Sequence, residues 1–389
     1  MPAAELGRLF PEPSSTAPLL SLLQKSGIGG FNLRSIVVLK EDAPILLLPL
    51  FETRFDLSTF AEGWIKKSLK VAGRLIPSVF QPRILSVGLP VGEWSEIGMD
   101  PQIDAGTLEA AWKMALGALQ TLAAELNSDV VALYNFTHDG NLPGEVFKKF
   151  NRVQCQSCAR LPISFKSQEE FLARLSRAAR KDLRRKMRAS HEVRVIRSRN
   201  ISLFLDRIYK LYLGTVARGF MAFGVHNRLF FEKICERVPS AEYTLYFVQE
   251  ELAAFNLLLV KQEAMVDKYF CMDYELGRKY NLYVLSWLEN LRTCVEQKIP
   301  VYQAGQGAEK TKAHMGATFI PSLILFRHRR PVYDRFLFEQ PAVIEKILSH
   351  LGFWPRADRS TSLFAALIRP RRRTNSSGAS VFSARRRPT

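Results

Sequence analysis

Polar and ionisable side chains cluster between residues 303 and 314, just past a short apolar run typical of a buried strand. They are Gln303, Gln306, Glu309, Lys310, Lys312 and His314. Gly305 and Gly307 bracket Gln306 and permit backbone dihedrals that other residues avoid. Because ligands of open α/β sheets bind at strand ends, this stretch predicts a reaction centre.

The residue types of this stretch suit acid–base chemistry. The carboxylate of Glu309 could remove a proton from an acceptor ammonium, directly or through water. Lys312 or Gln306 could steady a developing oxyanion or anchor a phosphate. We expect Gln303, Lys310 and His314, the remaining polar groups, to contact the substrate. The alternative interpretation is an exposed loop that leads into a short helix.

A second candidate site spans residues 273–282, between a predicted strand and a predicted helix. Amide groups at a helix N-terminus attract anions, so a pyrophosphate group would fit here. Gly277 would let the backbone approach the phosphate, and Arg278 and Lys279 would add counter-charge. Asn281, at the start of the helix, completes this predicted anion site. The alternative is a solvated turn that Asn281 caps.

Neighbouring residues have weaker signals. Asp273 is a further catalytic candidate, and Tyr274 and Tyr280 are expected to line the acceptor pocket. Asp267, within a predicted strand, is expected on an exposed sheet face. His226 is expected to be structural.

A helix predicted over residues 168–190 has apolar residues on one side and a dense basic face on the other. The basic residues are Arg177, Arg180, Lys181, Arg184, Arg185, Lys186 and Arg188. Two interpretations stay open: a solvated outer face, or a dock for a large anion such as tRNA or a lipid-linked pyrophosphate.

Composition limits the class of protein. The 389-residue chain is 47% hydrophobic and 24% charged, which is typical of globular domains, and its net charge of +18 favours an anionic partner. Its longest apolar stretch, residues 43–51, is far shorter than the roughly 20 residues that span a bilayer. We expect a cytoplasmic protein, or one bound peripherally at the inner membrane face.

Other reaction classes lack their signatures. Five cysteines do not form a disulfide framework, and Cys155 and Cys158 lack the second pair of a zinc site, so no metal is expected. The nucleophile-elbow, zinc-protease, P-loop and dinucleotide-binding motifs do not occur. Hydrolase, metalloprotease and nucleotide-binding interpretations are therefore weakened.

Hydrophobic periodicity predicts two halves of mixed α/β structure. The first half has strands at 35–40, 44–51 and 130–134, helices at 57–71 and 107–126, and a loop at 88–106. The second has strands at 193–197, 243–249, 252–260, 265–272, 301–303 and 319–326, and helices at 168–190, 203–217, 228–238 and 281–298. The expected divisions are a loose lead-in (1–30), a half-domain (31–160), a fuller domain (161–352) and a basic tail (353–389).

This order of elements resembles the N-acetyltransferase (GNAT) fold, complete in the second half and truncated in the first. Three stretches add detail. Residues 175–187, LSRAARKDLRRKM, resemble the basic helix of the BioF2-like acetyltransferases. Residues 273–283, DYELGRKYNLY, and 303–312, QAGQGAEKTK, resemble the strand-to-helix junction and the Gly-Gln-Gly…Lys loop of the Fem-like "peptidoglycan biosynthesis/recognition" family. The likeness covers roughly residues 35–335 and implies tandem GNAT-like domains of Fem type.

The resemblance implies an acyltransferase that moves an acyl group from acyl-CoA to an amine by direct attack. It also implies that the predicted anion site at residues 273–282 holds the pyrophosphate of the acyl donor. Gly277 stands alone where GNAT enzymes carry a longer CoA fingerprint. A Fem-type aminoacyltransferase that takes aminoacyl-tRNA and modifies a cell-envelope precursor is therefore the alternative. The non-enzymatic alternative is a basic adaptor that binds nucleic acid or anionic lipid.

Overall fold

The computed structural model describes residues 2–11, 14–56, 58, 63–91, 94–137, 142, 150–154, 157–188, 190–218 and 224–339. The predicted basic tail, Cys155 and residues 219–223 lie outside the described residues.

The first half contains five helices and seven strands among its described residues. The helices are α1 (Ala3–Leu9), α2 (Thr16–Ser26), α3 (Gly63–Leu75), α4 (Pro77–Phe80) and α5 (Ala105–Glu125). The strands are β1 (Ile28–Gly29), β2 (Phe31–Lys40), β3 (Ala43–Arg54), β4 (Arg83–Val87), β5 (Gly98–Met99), β6 (Val130–Thr137) and β7 (Asn151–Gln154).

The second half begins with β8 (Cys158–Pro162). Its helices are α6 (Gln168–Arg174), α7 (Arg177–Arg188), α8 (Leu205–Ala217), α9 (Arg228–Arg237), α10 (Tyr274–Lys279), α11 (Leu282–Glu296), α12 (Glu309–His314) and α13 (Pro331–Glu339). Its further strands are β9 (Val193–Ser198), β10 (Val225–His226), β11 (Ala241–Val248), β12 (Glu251–Val260), β13 (Met265–Met272), β14 (Val301–Gly305), β15 (Thr318–Ile320) and β16 (Ser322–His328).

These strands form two mixed sheets. The first runs β10-β1-β2-β3-β4-β6-β16-β7, with β5 paired to β3. The second runs β15-β8-β14-β13-β12-β11-β9. Pairing is antiparallel except between β4 and β6 in the first sheet and between β13 and β14 in the second. The meander β11-β12-β13 is antiparallel, as its short connections predicted.

Two strands of the second half, β10 and β16, join the first sheet. The strand predicted over 319–326 is broken at Pro321, which has no amide hydrogen to donate. On one side β15 pairs with β8 in the second sheet, and on the other β16 pairs with β6 and β7 in the first. From the second half, β10 also joins β1 in the first sheet. The domain boundaries given above stay predictions. The first sheet does not correspond to the first half of the sequence, because it also contains β10 and β16.

The expectation of a loose lead-in over residues 1–30 is wrong. Helix α2 buries Leu19, Leu20, Leu22 and Leu23, which belong to the same hydrophobic cluster as Phe230 of α9. Prolines and glycines suggested a loose segment, but Gly7 and Pro18 lie within the two helices, whose leucines are buried in the core.

The predicted helix over 168–190 is also two helices. Leu175 is extended (ψ 158°) and ends α6, and the Ser176 hydroxyl accepts a hydrogen bond from the Ala179 amide to start α7. In the first half, the predicted stripe of α5 is confirmed, since Trp112, Ala115 and Leu119 pack on the first sheet. Among the described residues, no helix is both long and apolar enough to cross a membrane.

Candidate functional site

The second sheet opens between its two parallel strands. β13 and β14 pair only at Met265 with Tyr302 and at Val266 with Gln303. Beyond these pairs the strands part, although β13 continues to Met272 and β14 to Gly305. Parallel strands end at the same edge of a sheet, so the two stretches predicted to carry chemistry both leave the sheet at this opening.

Asp267 stands at the point where the strands part. Its carboxylate accepts hydrogen bonds from Asn256 (2.9 Å), from the Tyr302 hydroxyl (2.9 Å) and from Asn290 (3.3 Å). Asn256 and Asn290 are buried, and burial raises the pKa of Tyr302 well above its ordinary value. The expectation of an exposed Asp267 is therefore wrong. Polar Asn256, among the leucines of β12, was the sequence signal that could have revealed this buried network.

Lys268 lies in a β-bulge. On β12, Leu257 and Leu258 are adjacent, yet their partners on β13 are Tyr269 and Asp267, so Lys268 is the extra residue. A bulge redirects a side chain, and the buried Lys268 ammonium donates to the Val91 carbonyl of the first half. Sequence reasoning did not select Lys268.

His226 lies near Lys268 and is buried. Its Nε2 is 2.7 Å from the Tyr269 hydroxyl, and its ring stacks on Phe230. Burial, helped by the Lys268 charge, lowers the pKa of His226 to about 3. The imidazole is thus neutral at physiological pH, and this is consistent with the structural role expected from the sequence.

Lys312 shapes the predicted catalytic loop from inside. It is only 4% exposed, and its ammonium donates to the carbonyls of Ala304 (2.6 Å), Gly305 (3.1 Å) and Gln306 (2.9 Å). Those hydrogen bonds curl the loop around the ammonium. Gly305 has the left-handed φ of +69° that this path requires. The structure places Lys312 as the support of the loop rather than as a group that reaches substrate.

Glu309 is the acidic group of the loop. It opens α12 and is half-buried. Burial raises its pKa, while the Ser157 amide hydrogen bond and the nearby Lys312 charge oppose that rise. A carboxylate with a raised pKa is a better proton acceptor near neutral pH.

Gln306 joins the loop to the first half. Its amide donates to the Asn135 side chain over 3.0 Å. Asn135, at the carboxyl end of β6, is fully buried and has a left-handed φ of 61°. A non-glycine residue in that conformation costs free energy and needs support from its surroundings. The contact ties the predicted reaction centre to both sheets.

The second predicted site is built differently from the expectation. Asp273 caps α10, since its carboxylate accepts from the amides of Glu275 (3.1 Å) and Leu276 (3.2 Å). Its other oxygen lies 3.7 Å from Arg207. Tyr274 lies under the Arg218 guanidinium at 4.0 Å from its ring centre.

Gly277 does not lie in an open phosphate-binding turn. It is buried inside α10, and an added Cβ would overlap the Sδ of Met272. The glycine therefore permits helix packing. Arg278 and Lys279 are exposed at the end of the same helix, and Asn281 starts α11 with a φ of 53° and no side-chain cap. The single glycine was interpreted as a phosphate contact because the sequence did not predict α10.

The predicted substrate-binding residues are dispersed. Tyr280 is buried in a hydrophobic cluster, and Gln303 lies opposite Arg160 of β8. Lys310 is exposed, and His314 lies 3.5 Å from Asp182 of α7. Of the predicted residues, Gln306, Glu309 and Lys312 thus lie together where β14 turns into α12, beside the opening. Within the described part of the chain, no cluster of metal-ligating side chains occurs.

Comparison with known proteins agrees with this architecture. The family model described as FemAB-like, peptidoglycan biosynthesis/recognition, matches residues 105–346. The chain belongs to this family. The predicted tandem GNAT-like fold of Fem type, with mixed α/β sheets, is confirmed with it.

Solved structures share the fold at low sequence identity. The C-terminal domain of a putative lysylphosphatidylglycerol synthetase from Agrobacterium fabrum is 10% identical, with a TM-score of 0.52 over 88% of this chain and 97% of that one. The structure titled L-PGS from Bacillus licheniformis is 12% identical, with a TM-score of 0.50 over 89% and 98%. FemX aligns at 12% identity and a TM-score of 0.48 over 83% and 94%. No curated protein sequence matches this chain.

Proposed function

We propose that this Fem-like protein transfers an acyl group from an activated donor to an amine, at the opening between β13 and β14. Glu309 carries the proposal, because it is a half-buried carboxylate with a raised pKa on a loop held in place from both sides. The family supports transfer, and the residues at the opening support a general base.

The reaction needs no covalent enzyme intermediate. The amine nitrogen attacks the acyl carbonyl carbon, and the bond to the donor's sulfur or oxygen breaks. Glu309 accepts the proton that the amine loses, and the leaving group takes up a proton. Holding donor and acceptor together would supply much of the rate.

Acyl-CoA is the first donor to test, and aminoacyl-tRNA is the second. Two observations favour the second: α10 fills the turn where a CoA pyrophosphate was expected, and α7 is strongly basic. On α7, Arg184 pairs with Glu169, and Arg185 and Lys186 pair with Asp182. Arg177, Lys181 and Arg188 are exposed beyond these pairs.

The acceptor in this proposal is an amine of a cell-envelope precursor, in line with the family's peptidoglycan description. Its use would bring the protein to the inner membrane face, with a cytoplasmic catalytic site. The basic face of α7 would then contact tRNA or anionic lipid.

A ligand screen tests the donor. Acetyl-CoA, longer acyl-CoAs and charged tRNA are added to the native protein, and the melting temperature is recorded. A ligand that binds only the folded state raises that temperature by mass action. Reversal of Arg177, Lys181 and Arg188 to glutamate should abolish a tRNA shift and leave an acyl-CoA shift intact. If none of the donors raises the melting temperature, the transferase proposal fails.

A further inference from the structure

A groove of about 580 Å³ lies at the first sheet, away from the β13–β14 opening. It is bounded by α5, the start of β6, the end of β16 and the start of α13. Asn135, near the other end of β6, contacts the proposed catalytic loop. At about 3.3 Å per residue, the seven residues from Ser128 to Asn135 separate the two places by roughly 20 Å.

One side of the groove is apolar. Its floor consists of Leu116, Leu119, Ala123, Val131 and Phe150. Leu119 and Ala123 are buried, and the others are partly buried. The volume falls within the roughly 300–1,000 Å³ of small-molecule sites.

A polar group at this groove is buried and has no hydrogen-bond partner in the part of the chain that the structure describes. It is Ser128, which is 2% exposed and whose hydroxyl makes no hydrogen bond to a described residue. A buried hydroxyl normally has a partner. Nearby, the Asn151 amide donates to Asp334 over 2.8 Å, so that polar pair is already satisfied. Ser128 lines the groove, and its hydroxyl has no protein partner among the described residues.

The rim of the groove is basic. Arg327, Arg329 and Arg335 line it, and Asp334 is its one acidic residue among those described. Arg327 lies 3.8 Å from Asp334, whereas Arg329 has no acidic partner in the described part of the chain. A smaller hollow of about 330 Å³ is lined by Arg54, Arg83, Arg330 and Asp129. Arg330 and Asp129 follow Arg329 and Ser128 of the groove in the sequence. This charge pattern complements an anion.

We propose that this groove binds a single amphiphile, with a medium or long acyl chain on the apolar floor and an anionic head between Ser128 and Arg329. The acyl chain replaces water on Leu119 and Ala123, the Ser128 hydroxyl donates to a head-group oxygen, and Arg329 supplies the countercharge. The site is independent of the proposed reaction centre.

Isothermal titration of the full chain with dodecanoate below its micellar concentration tests this proposal. We expect saturable binding of one molecule per chain. Ser128→Ala should weaken it about fivefold, the worth of one hydrogen bond. Arg329→Gln should weaken it about tenfold, while the matched change Arg237→Gln on α9 should have no effect. Hexanoate, with six fewer methylene groups, should bind at least about a hundredfold more weakly.

Other outcomes overturn the proposal. Absence of dodecanoate binding does so, and so does binding that Ser128→Ala and Arg329→Gln leave unchanged. Binding to phosphatidylglycerol vesicles alone would mean a bilayer surface contact instead of a single bound amphiphile. Binding that appears only after Ile347→Asp would mean that the chain's own apolar residues beyond 340 fill the groove. Glu309→Gln should leave dodecanoate affinity unchanged. The test of the groove is therefore independent of the test of the transferase proposal.

Discussion

Replacing Lys312 with methionine tests whether the predicted catalytic loop is held from inside. Methionine has a similar length but no charge and no donor. The change leaves three carbonyls, those of Ala304, Gly305 and Gln306, without the ammonium that now contacts them at 2.6, 3.1 and 2.9 Å. Because Lys312 is 4% exposed, water cannot readily replace it.

The size of the effect follows from opposing contributions. A hydrogen bond to a charged group contributes about 1.5–3 kcal/mol net, and burying an ammonium costs several kcal/mol. With three such bonds lost and the desolvation cost relieved, we expect the free energy of unfolding to fall by about 3 kcal/mol. Turnover should fall as well, because Gln306 and Glu309 depend on the same loop.

Urea unfolding of the native protein, Lys312→Met and Lys310→Met measures the difference. Lys310 is exposed two residues away on α12 and is the matched control, with an expected change within about 0.5 kcal/mol. Hydrogen exchange should show that the amides of residues 305–309 lose protection in Lys312→Met alone. If the two variants unfold at the same urea concentration, the internal support assigned to Lys312 is wrong.

Four further results are expected. Glu309→Gln should lower turnover by about 10²-fold or more with donor affinity unchanged, and normal turnover in this variant would exclude Glu309 as the base. Because burial raises the pKa of Glu309, the activity of the native protein should fall at acid pH with a midpoint above the ordinary glutamate pKa. Tyr302→Phe removes a donor to Asp267 and should lower the melting temperature, whereas an unchanged value would show that the network is dispensable. The pKa of His226 is about 3, so between pH 6.5 and pH 3 this imidazole takes up a proton only in the unfolded chain. The free energy of unfolding should therefore fall by up to about 1.4 kcal/mol per pH unit as the pH decreases. Acid unfolding curves should show a shallower fall in His226→Phe. Deletion of residues 369–389 should leave turnover within a few-fold, and a collapse of activity would contradict the expectation drawn from its composition.

Local signals predicted much of the fold. Apolar alternation and short connections gave the β11-β12-β13 meander, and the helical stripe of α5 matches the side that packs on the first sheet. Such patterns report which face of an element is buried. They do not report the partner, which is why the separate destinations of β15 and β16 were not predicted.

The sequence indicated where the candidate site lies in the chain, but not the role of each of its side chains. Gln306, Glu309 and Lys312 were recognised as a polar loop after a buried strand, and the structure shows that loop at the opening of the sheet. Whether a lysine points outward to a ligand or inward to backbone carbonyls is decided by packing, which sequence spacing does not encode. For the same reason Gly277 was interpreted as a phosphate contact although it lies against Met272.

The amino-acid sequence by itself determined a basic chain of two mixed α/β halves, because net charge follows from composition and periodicity from neighbouring residues. The resemblance of residues 303–312 to a Fem-like loop indicated the family. Only the tertiary structure decided that Asp267, Asn256, Asn290 and Tyr302 form one buried network. Those four residues come from three strands and a helix. Their hydrogen bonds exist because the sheet and α11 bring distant parts of the chain within 3.3 Å of one another.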